Sequence, residues 1–172
     1  MYYGGGSVIR SGLLDEIKKS LDEEHISYEE LGGVKPNPRL SFARKGVEKA
    51  IAFGAELILA VGGGSAIDTA KGIAIGAANP GTDIWEFWKN KKELKKALPV
   101  GTVLTISAAG SEMSNSAVLT DEETQDKSGI GSDLIRPKFA IMNPKLTYTL
   151  PKYQLTCGIV DIFMHTIERY FT

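Results

Sequence analysis

The sequence has little with which to cross-link itself or to grip a metal. Of 172 residues one is cysteine, Cys157, and two are histidine, His25 and His165. A single thiol excludes an internal disulfide and any cysteine-cluster metal site. No apolar run approaches the roughly 18 residues that a membrane span requires, and no charged-then-apolar leader opens the chain. These absences suit a reducing cytoplasm and no membrane partner. Charge of one sign is lacking too, since 20 basic and 21 acidic residues leave a formal net charge of -1. No global field draws such a chain to phosphate backbones, so no nucleic-acid partner is expected. The densest basic run, KNKKELKKA at 89–97, is interrupted by Glu93 and reads as a solvated helix face.

What is present is the balance of a globular domain, 42% hydrophobic and 24% charged. Periodicity alternates between strand and helix, the pattern of an α/β fold with a largely parallel sheet. Segment 8–24 carries Ile9, Leu13, Leu14, Ile17 and Leu21 at helical spacing. SYEEL at 27–31 reads as a strand, GGVKPNP as a turn, and 38–53 as a second helix. LILAV at 57–61 is a wholly apolar strand of the kind buried on both faces. PVGTVLTI at 99–106 and KFAIM at 138–142 repeat that signature, and SAVLT and KSGIG flank the acidic turn DEETQD as a hairpin. Residues 153–171 form a last helix, and the stretch from Pro144 to Pro151 is the boundary before it. Trp85, Phe87 and Trp88 read as packing around a short helix.

Three glycines, Gly62, Gly63 and Gly64, stand between the LILAV strand and the helix that follows, with Ser65 and Asp68 in its first turn. Glycines there let a ligand approach the backbone, while free N–H groups and the helix dipole favour a phosphate. The spacing matches neither named phosphate motif, because Ile67 replaces the third glycine of G-x-G-x-x-G and Lys71 lies too far on for the P-loop. The same turn also reads as a tight connection with Ser65 as N-cap and Asp68 closing a capping-box-like turn. A second cluster, TISAAGSEMSNSA at 105–117, follows another strand and suits a ligand lying across strand ends, or a polar loop.

Taken in order, GGVKPNP, AVGGGSAIDTAK, VLTISAAGSEMSNSAV, TLP and GIVDIFMHTIE resemble the iron-containing (group III) alcohol dehydrogenases, in their butanol dehydrogenase and NADPH-dependent aldehyde reductase branch. The resemblance runs from Tyr2 to Thr172. It implies a Rossmann-like, largely parallel NAD(P)-binding domain over 1–150, with 151–172 opening an all-helical metal-binding domain whose remainder is missing. It also implies that the chain starts late, behind an N-terminal strand of the family, and represents the front part of a dehydrogenase or a short relative.

The resemblance assigns the pyrophosphate to Gly62, Gly63, Gly64 and Ser65, and a catalytic place near the nicotinamide to Asp68. It puts Thr105 by the cofactor, Ala109 where a second threonine is common, Lys127 near the ribose and Leu146 at an apolar wall. Gly33, Asn37, Ser111 and Val118 complete the implied cofactor set. Gly32 stands where NAD-preferring members carry Asp, and its missing carboxylate predicts NADP(H) over NAD(H).

Asp161 and His165, four apart on the last helix, match the first two ligands of the family's Fe2+ or Zn2+; alone, such a pair would read as structural. His25 lies in a connecting segment, so no second histidine is at hand to complete the site. The expected reading is therefore an alcohol or aldehyde oxidoreductase represented by its cofactor-binding part and inactive alone, or a non-catalytic dinucleotide-binding module derived from it. The apolar residues around the last helix predict that it frays, packs elsewhere or mediates self-association, as in a homodimer.

Overall fold

The computed structural model describes residues 1–171. Its strands are β1 (Tyr2–Tyr3), β2 (Leu31–Gly32), β3 (Ile58–Gly62), β4 (Val100–Leu104), the hairpin pair β5 (Ser116–Asp121) and β6 (Asp126–Gly131), and β7 (Phe139–Ile141). Five of them form one parallel sheet in the order β2-β1-β3-β4-β7, and β5 and β6 pair antiparallel beside it. The helices are α1 (Ser7–Arg10), α2 (Leu13–Glu23), α3 (Leu40–Phe53), α4 (Gly64–Ala78), α5 (Ile84–Trp88) and α6 (Lys152–Phe171). The mostly parallel α/β class is therefore present.

The two faces of the sheet carry different cores. On one, Ile67, Ile73 and Ile75 of α4 pack with Leu40 and Ala43 of α3, Phe87 and Trp88 of α5, and Leu119 of the hairpin. On the other, Leu13 and Leu14 of α2 meet Val61 and Val103, with Leu146 at the margin. All five residues of β4 are buried, as its largely apolar composition predicts for a central parallel strand.

Several expectations need correction. The 8–24 segment is two helices, because Gly12 adopts a left-handed φ of 76° between them. SYEEL supplies only Leu31 to a strand, with Gly32 after it. KNKKELKKA is solvated but forms no helix beyond the end of α5, and its like charges favour extension over a turn of helix. KFAIM is a strand but is not buried on both faces: β7 is the sheet edge, and Phe139 and Ile141 are 44% and 52% exposed. The final helix is continuous, yet its apolar residues face outward and Gly158 is its one buried residue among those described.

Candidate functional site

Strand order places a crevice. From β1 the chain moves outward to β2, and from β3 it moves the opposite way to β4, so the carboxyl ends of β1 and β3 flank a topological switch point. Open α/β sheets bind ligands at that position. Tyr3 pairs with Val61 across it, and each strand then runs into the same tetrapeptide. Gly4-Gly5-Gly6-Ser7 follows β1, and Gly62-Gly63-Gly64-Ser65 closes β3 and opens α4. Sequence reading passed over the first of these; its identity to the second was the available signal. A cleft of about 640 Å³ between Tyr28, Lys49 and Leu57 touches neither turn.

At the second turn, Gly63 is the N-cap of α4 and no side chain caps it. The capping-box reading is thus corrected: the Ser65 carbonyl accepts the Thr69 hydroxyl at 2.7 Å, and Asp68 turns to the hairpin instead. The first amides of α4 therefore meet no capping side chain, which suits an anion. Thr105 N–H donates to the Gly62 carbonyl at 3.1 Å and ties the two loops together.

Asp68 sits one turn into α4, where its Oδ2 accepts the Val118 N–H at 3.1 Å. Its buried Oδ1 accepts no well-formed hydrogen bond from the described residues, although the Ser111 hydroxyl is near enough to favour the carboxylate. Burial pushes the carboxyl above the usual range, opposed by the Val118 N–H, Lys71, Ser111 and Lys127. Buried polar atoms ordinarily find partners, so this oxygen fits a donor carried by a ligand, such as a ribose hydroxyl or carboxamide. Ser111 lies close by, its Oγ 3.3 Å from where a Cβ on Gly64 would stand.

The outer wall of the crevice comes from the hairpin and the GGVKPNP turn. Lys127 Nζ donates to Asn37 Oδ1 at 3.1 Å, and Gly33 N–H donates to the Gly4 carbonyl at 3.4 Å. Asn37 holds a φ of 55° and Gly33 one of 98°. Gly32 has a local reason to be glycine: an added Cβ would lie 2.3 Å from Cε2 of Tyr3. Beyond Gly33 opens a groove of about 350 Å³ lined by Lys35, Arg39 and Lys45. Leu146 packs at the margin of the smaller core, which holds Val8 and Val61.

Ala109 and Gly110 share a hollow with Ile162, His165 and Arg169, so α6 faces the second glycine-rich loop. Asp161 Oδ1 and His165 Nε2 are 3.8 Å apart on that helix, both about half exposed. Among the described residues no group of three or more histidine, cysteine, aspartate or glutamate side chains is placed to hold a metal ion. The pair offers two donors and no closed site. No helix among the described residues is long and apolar enough to cross a membrane.

The parallel sheet, flanked by helices and with glycine turns at its switch point, defines a Rossmann-like α/β chain. The sequence pattern of the iron-containing alcohol dehydrogenases matches residues 1–144, and the chain belongs to that family. It is 45% identical over 170 residues to NADH-dependent butanol dehydrogenase A of Clostridium acetobutylicum, covering 99% of this chain and 43% of that protein. It is 41% identical to the NADPH-dependent aldehyde reductase YqhD of Escherichia coli, covering 44% of it. The crystal structure of NADH-dependent butanol dehydrogenase A from Thermotoga maritima superposes with a TM-score of 0.94 at 44% identity, over 97% of this chain and 42% of that one. The chain thus spans about two fifths of the relatives it matches.

Proposed function

We propose that residues 1–150 bind NADP(H) in preference to NAD(H) for a metal-dependent alcohol dehydrogenase or aldehyde reductase acting on small alcohols and aldehydes, and that residues from 151 onward begin its metal-binding part. The observation that carries this reading is the switch-point crevice, with a Gly-Gly-Gly-Ser turn on each side and the orphaned Asp68 Oδ1 beside it. The pyrophosphate lies on the turns, the adenosine toward β2, and the nicotinamide toward Asp68, Ser111 and α6. A bound nicotinamide supplies or accepts hydride. The chain's own part is to fix the dinucleotide through backbone N–H groups and to offer Asp68 as an acceptor.

The NADP(H) preference is supported by charge. Neither glycine turn carries a carboxylate, and Arg10 lies over Gly6, its Nη1 2.5 Å from where a Cβ would be. Lys35, Arg39 and Lys45 line the adjoining groove, a setting that favours a 2′-phosphate. Relatives of both cofactor types occur, so the preference rests on these residues. Calorimetric titration with NADPH and NADH tests it, and a tenfold tighter fit to NADH overturns it.

Asp161 and His165 would contribute two donors to Fe2+ or Zn2+. With two donors in place, the chain alone binds cofactor without turnover, and a non-catalytic dinucleotide-binding module is the second reading. NADPH-coupled reduction of butyraldehyde with ferrous or zinc ion separates the two from an active enzyme. Ile159, Val160, Phe163 and Met164 are each more than half exposed, which supports self-association through α6, a point that sedimentation over a concentration series decides. Exposed Cys157, a free thiol, fits the proposed cytoplasmic setting.

A further inference from the structure

Lys71 is the largest fully buried side chain among the described residues, 0% exposed. Its ammonium reaches four oxygens of the second glycine-rich loop: the carbonyls of Ser111 at 2.8 Å, Ser114 at 2.9 Å and Ser116 at 2.7 Å, and the Ser114 hydroxyl at 3.2 Å. Arg136 takes a fifth, the Met113 carbonyl, at 2.6 Å. Burial lowers Lys71 to about 8, opposed by Asp68 and Glu112 and reinforced by Arg136. At neutral pH it therefore keeps three donors.

A loop with this sequence has no reason of its own to gather its carbonyls at one point, where their dipoles repel. A buried cation reverses that cost. In a trans peptide the C=O and the following N–H point in opposite directions. Drawing the Ser111 and Ser114 carbonyls inward therefore turns the Glu112 and Asn115 N–H groups outward. Lys71 rises from α4 three residues after Asp68, so the same helix carries both the loop's anchor and the acceptor beside the crevice.

We propose that Lys71 is a positioning residue for dinucleotide binding: it draws the Ser111 and Ser114 carbonyls inward so that the Glu112 and Asn115 N–H groups, with Ser111, face the nicotinamide half of the ligand. This rests on the cofactor reading above. It assigns Lys71 to one half of the ligand, because the adenosine half lies toward β2 and the Lys35 groove, which Lys71 does not touch.

The test uses the full chain with Lys71→Met, and Lys71→Gln as a milder variant that keeps two donors without the charge. NADPH and 2′,5′-ADP, which lacks the nicotinamide half, are titrated in parallel. The expected result is at least a tenfold loss of NADPH affinity with 2′,5′-ADP within twofold, and a smaller loss for Lys71→Gln. Equal loss of both, or loss of neither, overturns the proposal. Hydrogen exchange needs no ligand: protection of the Met113 and Ser114 amides, both bonded to the Gly110 carbonyl, should fall at least tenfold against Val61 and Val103. Unchanged protection overturns the proposal even if the wild type binds no nucleotide, whereas failure of the wild type to bind either nucleotide overturns the cofactor reading.

Discussion

Gly158 of α6 approaches Ser107 so closely that an added Cβ would lie 2.6 Å from the Ser107 carbonyl oxygen. This contact seats the last helix against the second glycine-rich loop and brings His165 to face Ala109 and Gly110.

Substituting Gly158→Ala separates helix propensity from docking. Alanine favours the isolated helix by about 1 kcal/mol, yet the backbone oxygen cannot yield as a flexible side chain would. The expected outcome is faster hydrogen exchange across residues 152–171 with unchanged exchange in β3 and β4. Slower exchange in α6 would mean that propensity outweighs the contact.

Asp83 does two jobs at the start of α5. It accepts the Trp85 N–H at 3.0 Å and pairs with Arg44 through two bonds of 2.7 and 2.9 Å. Both side chains are more than a third exposed, so the pair is discounted for screening and the cap dominates. Asp83→Ala should cost about 1–2 kcal/mol in urea unfolding at pH 7. The Arg44 guanidinium holds the Asp83 carboxyl below its ordinary range. A depressed folded value stabilises above the unfolded value near 4 and loses that contribution as pH falls through the folded one. The stability gap between wild type and Asp83→Asn should therefore close below about pH 4.

Asp68 has the opposite sign. Burial raises its folded value, so its contribution is most favourable below the unfolded value and is lost as pH rises through the folded one. At pH 7 the buried carboxyl is therefore a burden on the free chain. Asp68→Asn should raise stability by about 1 kcal/mol at pH 7, with no gain below about pH 4, and should weaken NADPH about tenfold. A destabilised variant with intact affinity would make Asp68 a structural acceptor only.

Gly32→Asp is not a clean cofactor swap. Its Cβ would enter the Tyr3 ring, so strain of about 1–3 kcal/mol is expected, and Tyr3→Ser should restore most of it in the double variant. Thermal unfolding of the four proteins of that cycle decides the point. Full stability of the single variant would show that Tyr3 swings aside freely.

The sequence made β3, β4, the hairpin and the β3 turn legible because apolar runs bounded by glycine or acidic turns are local signals. It hid β1 because two residues cannot display a period, and with β1 it hid the twin turn at Gly4. Lys71 was visible only as a residue out of place for a phosphate loop, since nothing local shows that a lysine amid Ala70, Gly72 and Ile73 meets carbonyls 40 to 45 positions away. Long-range pairing also explains β7, whose composition promised a central strand but whose neighbour on one side is absent from the described sheet.

The position of Tyr2–Tyr3 between β2 and β3 sets an order of assembly. During synthesis these residues precede both neighbours, and the second does not exist until the ribosome has passed residue 62. Until then the edge of β1 that β3 will cover stays open, a state in which nascent chains pair with the wrong partner. Because a glycine turn follows each strand of that one pairing, the ligand site forms together with the longest-range pairing of the sheet.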